Sequence, residues 1–202
     1  MQEQLSNFYL NSLKPFFDLL FAVIFLVVLS PVFLFLFCLL GFNLKRYPVF
    51  YQARIGKNNE PFHLIKFRTL KVDHDLDSTT WFSRFIRSLS FDELPQLLNI
   101  VRMEMSFVGP RPLLPEYLDS YNTEEIQRHL LMPGLTGLAQ LKMGNSSKWS
   151  ERMKLDIQYV RTVSFWLDVK ILLSTALHLL NFNRKSAMDT EIIRFDDYAK
   201  KR

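Results

Sequence analysis

The sequence predicts an α+β protein, mostly helical, in which an apolar N-terminal segment is followed by a compact domain with a small β-hairpin. Three observations predict it. Leu19 to Phe42 is a 24-residue run in which only Ser30, Pro31 and Gly41 are not apolar. Residues 49–68 hold two β-prone stretches around a turn-rich hexapeptide. Beyond residue 80, apolar positions recur at helical spacing.

The apolar run is too long for the core of a signal peptide, about 7 to 15 residues, and no small-residue cleavage site follows it. It reads as a retained membrane segment, dividing the chain into residues 1–46 and a domain of residues 47–202. An unbroken helix of that length would rise about 36 Å, enough to cross a hydrocarbon core of about 30 Å. Ser30-Pro31 stands at its middle, where proline removes a helical hydrogen bond, and each half of the run is too short to cross. Lys14 precedes the run and Lys45-Arg46 follow it, so the positive-inside rule holds both ends on one side. A re-entrant helix-break-helix and a proline-kinked span both satisfy these features.

Composition narrows the rest. The 202 residues contain 25 Lys+Arg, 20 Asp+Glu, one cysteine and 19 Phe. A lone Cys38 excludes an internal disulfide. Without residues 1–42 the chain has 24 Lys+Arg against 18 Asp+Glu, a net charge of +6, suited to an anionic leaflet or anionic substrates. The basic residues are not clustered into a recognition module, so no nucleic-acid partner is expected.

Val49–Ile55 and Phe62–Arg68, joined by Gly56-Lys57-Asn58-Asn59-Glu60-Pro61, predict a hairpin on which Lys66 and Arg68 project together. Residues 73–80 read as a polar loop. Asp73, Asp75 and Asp77 mimic a calcium loop, but Ser78 and Arg84 replace its glycine and glutamate. Trp81–Arg87 forms a short amphipathic helix, for a membrane surface or for a core. Helices follow over Asp92–Met103, Glu116–Leu130 and Ser150–Arg161. The segment Phe165–Phe182 contains Asp168, Lys170 and His178, which favours an interfacial or core helix over a second span. The tail from Arg184 is polar. Asn145-Ser146-Ser147 matches a glycosylation acceptor, without meaning in a cytoplasmic domain. His63, His74, His129 and His178 lack zinc-ligand spacing.

The chemistry concentrates in Arg87-Ser88-Leu89-Ser90-Phe91-Asp92-Glu93-Leu94-Pro95-Gln96. Asp92 and Glu93 can be read as first-turn acids, with Ser90 and Glu93 at capping-box spacing. They can equally be read as a nucleophile or metal ligand beside a proton-handling partner. A carboxylate approaches an anionic diphosphate only where cations neutralise the phosphoryl oxygens. Arg111, between Pro110 and Pro112, is held on a stiff backbone suited to bidentate phosphate contact. Pro133-Gly134-Leu135-Thr136-Gly137 is a glycine-rich loop whose amides could face a phosphate.

Taken in order, these segments resemble the bacterial sugar transferases, in particular the small monotopic phosphoglycosyl transferases of polyprenol-phosphate pathways. The resemblance runs through Lys14-Pro15-Phe16-Phe17-Asp18, Ser30-Pro31, Lys66-Phe67-Arg68-Thr69, Arg87 to Gln96, Met105 to Pro112, Pro133 to Gln140, and the Asp156, Tyr159, Asp168 spacing. It implies an N-terminal re-entrant membrane helix broken at Ser30 and Pro31, with interfacial helices around a catalytic domain on the cytoplasmic face of the bacterial inner membrane. It further implies transfer of a phosphosugar from a UDP-sugar to undecaprenyl phosphate through a covalent Asp-phosphosugar intermediate, in the first membrane step of bacterial glycan assembly, with UMP released. Asp92 would be the nucleophile and Mg2+ ligand, and Glu93 its acid/base partner. Lys66, Arg87, Arg111, Pro112, Thr136 and Gln140 would bind phosphate or nucleotide.

The sequence departs from the family at Leu70, at Glu104, where Asp is common, and over Leu141-Lys142-Met143-Gly144-Asn145, where an arginine is usual. Lys142 or Lys148 is the expected substitute. The sugar is not readable, and a homodimer stays open. The rival to an enzyme is a basic module that recruits membrane lipid or a partner protein.

Overall fold

A computed structural model describes residues 8–69, 81–143 and 148–180. A π-helical turn, Tyr9–Leu13, leads into α1, Lys14–Val28, and past Leu29 into α2, Ser30–Leu44. Pro31 leaves the carbonyl of Val27 without its helical donor, and Ser30 Oγ donates to that oxygen at 2.8 Å. The break therefore falls at the predicted place. The first half is longer than expected, because the chain is helical well before the apolar run begins. Tyr9–Val28, at 20 residues, is long and apolar enough to cross a membrane, which corrects the reading of two short halves.

Each helix packs one edge on the body. Ala22 of α1 joins Phe62, Leu64, Leu97 and Ile100; Leu36, Leu40 and Leu44 of α2 join Phe67 and Ile86. The opposite edges are bare: Val28 is 65% exposed, Leu34 66% and Phe42 86%.

A hairpin of β1, Val49–Ile55, and β2, Pro61–Phe67, follows in antiparallel register from Val49↔Phe67 to Ile55↔Pro61. Then come α3, Trp81–Ser88, a 3₁₀ segment, Phe91–Gln96, and α4, Leu97–Val101. Asn99 of α4, fully buried, accepts from Ile65 N at 3.0 Å and donates to His63 O at 2.8 Å, fixing α4 to β2. It also donates to Glu104 at 2.6 Å, which gives that departing residue a structural role. Strands β3, Ser106–Val108, and β4, Gly134–Thr136, pair in parallel, followed by α5, Leu138–Met143, α6, Trp149–Thr162, and α7, Phe165–Leu180.

Two predicted helices are replaced. Pro95 cannot donate to a helical ladder, so Asp92–Met103 becomes a 3₁₀ turn and the five-residue α4. Glu116–Leu130 becomes two 3₁₀ segments, Pro115–Ser120 and Glu125–Leu130. Asn122 breaks it: its Oδ1 accepts from the amides of Glu124 and Glu125 at 2.9 and 2.8 Å, and Glu125 accepts from its amide at 3.1 Å. The predicted helices Trp81–Arg87 and Ser150–Arg161 appear within one residue. Ile86 of α3 is core while Phe85 is exposed. In α7, Asp168 and Ile171 are buried whereas Trp166, Leu173 and Leu177 are exposed. The readings made on Leu70, residues 73–80, residues 144–147, Phe182 and the tail lie outside the described residues.

The joint between α1 and the body is polar. Asp168 Oδ2 accepts from Lys14 Nζ at 2.6 Å and Tyr9 Oη at 2.7 Å, and Oδ1 from Tyr159 Oη at 2.7 Å. Lys14 is thus a buried counter-ion, 8% exposed, in addition to any flanking-charge role. Asp18 accepts from Phe107 N at 3.2 Å. Asp168→Ala leaves Lys14 and Tyr9 without this acceptor and Tyr159 with Val108 O alone. A loss of about 3–5 kcal/mol is expected, read from chemical unfolding of the full chain in detergent.

Candidate active site

The acidic pair is presented by a strained turn. Ser90 adopts a left-handed conformation (φ 57°). Its amide donates to Arg87 O at 3.1 Å, while its carbonyl accepts from Glu93 N at 3.0 Å. This folds Arg87 back toward Asp92 and Glu93. The expected capping box does not form, since Ser90 makes no side-chain cap. The Glu93 carboxylate turns instead to Arg111, whose Nη2 donates to Oε1 at 2.9 Å, with Lys66 Nζ at 3.9 Å from the same oxygen.

Arg111 is held through its backbone. Gly109 N donates to Thr136 O at 2.9 Å and Gly134 N to Pro110 O at 3.0 Å, so β3 and β4 grip the residues before it. Gly109 and Gly134 approach so closely that a Cβ on either would strike the other's backbone. The amide of Gly134 is therefore spent inside the protein, not on a phosphate. Behind Arg111, Arg128 Nη2 donates to its carbonyl at 2.7 Å. Arg128 in turn pairs with Asp156 at 2.8 Å, the two side chains being 1% and 2% exposed.

The two carboxylates are treated differently. Burial would raise Glu93, but Arg111 and then Lys66 outweigh it and hold it below its ordinary range. Asp92 is pushed up to about 6, by burial first and by the charge of Glu93 second; Lys66 and Arg87 pull the other way. No side chain donates to Asp92 among the described residues. One acid is clamped and ionised, and its neighbour is left uncommitted.

Of the residues expected here, Asp92, Glu93, Lys66, Arg87 and Arg111 share one electrostatic neighbourhood. Pro112 joins Lys66 and Arg111 in lining a cleft. Lys66 and Arg68 do not act together, because Arg68 Nε donates to Tyr47 O at 3.3 Å and its guanidinium lies over Phe50. Thr136 meets Thr175 of α7 at 2.9 Å, and Gln140 donates to Leu135 O at 3.1 Å; neither bonds to the acidic pair. Lys148 pairs with Glu151 at 3.4 Å. Sequence reasoning missed Arg54 and Gln96, which also line the cleft, and the Arg128–Asp156 pair behind it. An arginine inside an alternating strand carries no signal of which way it turns.

Among the described residues no cluster of three acidic, histidine or cysteine side chains forms a metal cage. Magnesium binds through one or two carboxylates together with substrate phosphates and water. A single carboxylate at Asp92, to which no side chain donates among the described residues, beside a cation-lined cleft, fits that mode.

An acidic pair lies against a cation-lined cleft, on a body that bears an apolar helix, Tyr9–Val28, long enough to cross a membrane. A model of the family "Bacterial sugar transferase" matches residues 9–182, and the chain belongs to that family. It is 40% identical to an uncharacterized sugar transferase, EpsL, of Bacillus subtilis, covering 83% of this chain and 87% of the relative. It is 36% identical to an undecaprenyl-phosphate glucose phosphotransferase of Komagataeibacter xylinus, over 80% of this chain and 35% of the relative. It is 32% identical to a UDP-glucose:undecaprenyl-phosphate glucose-1-phosphate transferase of Klebsiella pneumoniae, over 84% of this chain and 40% of the relative. The chain thus spans less than half of the length of these last two relatives. It is a transferase.

The Asp92 carboxyl is protonated below about pH 6 and ionised above it. Carbon-13 NMR titration of labelled aspartates, with Asp92→Asn for assignment, is expected to show that midpoint. Glu93→Gln should lower it without restoring the ordinary value, because burial is the larger cause.

Proposed function

We propose that this protein transfers a phosphosugar from a UDP-sugar to undecaprenyl phosphate, releasing UMP, through a covalent phosphosugar on Asp92. The observation that carries this is the asymmetry of the pair: Glu93 is engaged by Arg111 and Lys66, while among the described residues no side chain donates to Asp92. An unpaired carboxylate whose surroundings disfavour its charge is poised to attack phosphorus. The names of the Komagataeibacter and Klebsiella relatives support the substrates, and family membership favours an enzyme over a recruiting module.

The roles follow from position. Arg111 and Lys66 place positive charge where phosphoryl oxygens must lie, and Arg87 adds to it beside Asp92. Glu93 keeps those two cations aligned and is placed to accept or return a proton. Asp92, with phosphate oxygens and water, would hold Mg2+, which when bound neutralises developing charge on the phosphoryl group.

Membrane association is supported by the apolar helix, and a re-entrant placement by where the helix pair attaches. Lys14 near its start meets Asp168, and Leu40 and Leu44 near its end pack on Phe67 and Ile86. With both ends bound to one body, a crossing would drag that body into the bilayer. The catalytic domain then faces the cytoplasm, where nucleotide sugars are made, at the inner membrane.

Asp92→Asn and Asp92→Ala are each expected to abolish UMP release from UDP-glucose in detergent with Mg2+ and undecaprenyl phosphate. Full activity in both removes the nucleophile. For topology, single cysteines at residues 5 and 45 in a Cys38→Ser background are expected to react with an impermeant maleimide from the same side of the membrane. Labelling from opposite sides refutes the re-entrant placement.

A further inference from the structure

The three carbonyls that follow Pro110 are each held by a different donor. Arg128 Nη2 donates to Arg111 O at 2.7 Å, Arg54 Nη1 to Pro112 O at 3.4 Å, and Ile55 N to Leu113 O at 3.0 Å. Arg54 and Ile55 come from β1, whereas Arg128 comes from the 3₁₀ segment Glu125–Leu130. The course of the backbone at Arg111 therefore depends on how the hairpin and that segment stand relative to each other.

A side-chain contact joins the two. His129, next to Arg128 and 5% exposed, packs edge-to-face on Tyr121, with its Nδ1 2.6 Å from Oδ1 of Asn59 in the hairpin turn. Its Nε2 lies 3.5 Å from Arg128 Nη1. A guanidinium has donors only, so Nε2 faces it with a lone pair. The ring proton is then on Nδ1, and Nδ1 donates to Asn59. Burial first, and the charge of Arg128 second, push the imidazole down to about 3, so it is uncharged at neutral pH. The turn has an uncommon backbone at the same place, since Asn58 and Asn59 are both left-handed, at φ 57° and 66°. Asparagine tolerates that conformation better than most residues, and it is the carboxamide of the second that His129 holds.

We propose that His129 is a positioning residue: with its proton on Nδ1 it latches the hairpin turn to the segment of Arg128, and so sets where Arg111 stands in the cleft. The inference rests on the reading of Arg111 as a ligand of the donor's phosphoryl oxygens. His129 does not itself meet the substrate. It acts on the loop of Arg111 from both sides, through Asn59 and the hairpin on one and through Arg128 on the other.

The tautomer is the first measurement. A long-range nitrogen-15 spectrum of the full chain in detergent, labelled at histidine and assigned with His129→Phe, is expected to put the His129 proton on Nδ1. A proton on Nε2 overturns the latch. Kinetics with UDP-glucose and undecaprenyl phosphate are the second. Asn59→Gly removes the carboxamide and suits the left-handed backbone, so the melting temperature is expected to hold while kcat/KM for UDP-glucose falls by on the order of tenfold. Added to Arg111→Ala, the same substitution is expected to lower kcat/KM no further, because the latch acts through Arg111. An equal fall in both backgrounds overturns the positioning role; so does an unchanged kcat/KM in Asn59→Gly, whether or not the melting temperature drops, the mark of a purely structural contact. His129→Phe keeps the ring against Tyr121 and is expected to lose activity as Asn59→Gly does; if it fails to fold, Asn59→Gly carries the test. Arg111→Ala alone separates the two readings. Unchanged kcat/KM there sinks Arg111 as a phosphate ligand, whereas a fall there with none in Asn59→Gly sinks the latch alone.

Discussion

The structure hangs on one carboxylate. Asp168 gathers the ammonium of Lys14 and the phenols of Tyr9 and Tyr159, and so joins the start of α1 to α6 and α7. Burying a charge is tolerable only when partners replace its water, and here three donors share its two oxygens. The Tyr159 hydroxyl also lies 3.1 Å from Val108 O, a second acceptor for its one hydrogen, which carries the joint to β3. Burial and then Asp168 push the Tyr159 hydroxyl far above its ordinary range, so it remains a donor.

From β3 the path to the chemistry is short. Val108 precedes the glycine that β4 grips, and two residues further is Arg111. Its carbonyl is held by Arg128 and its guanidinium by Glu93. Each cation in the clamp is thus bound at one end to the frame and at the other to an acid. Asp92 lies outside this arrangement, and the neighbour's charge makes its own ionisation harder. The rigidity of one residue of the pair is what leaves the other available.

What was legible in the sequence was local. The hairpin was readable from its turn hexapeptide and β-prone flanks, α6 from its periodicity, and the break from Ser30-Pro31. Asn122 and Glu125 stand at capping spacing and could have divided the helix expected over residues 116–130. The acidic pair and the arginine between prolines were visible as residue types, but their bond, across 18 positions, was not. The parallel β3 and β4 are three residues each and far apart in sequence, below the reach of any periodic signal. Thr136 and Gln140 sit in a loop that reads as phosphate-facing, yet they bond to Thr175 and Leu135, because the loop's first duty is to brace Arg111. Arg54 could be found only by knowing which face of β1 turns inward.

The Lys14–Asp168 pair can close only late in synthesis. Its partners are 154 residues apart. At about 5–20 residues per second, Lys14 leaves the ribosome roughly 8–30 s before the acid that neutralises it has been made. During that interval the ammonium must stay hydrated, at the edge of whatever surface the apolar helices have found. The lysine thus keeps its water until α7 has been made and Asp168 replaces it.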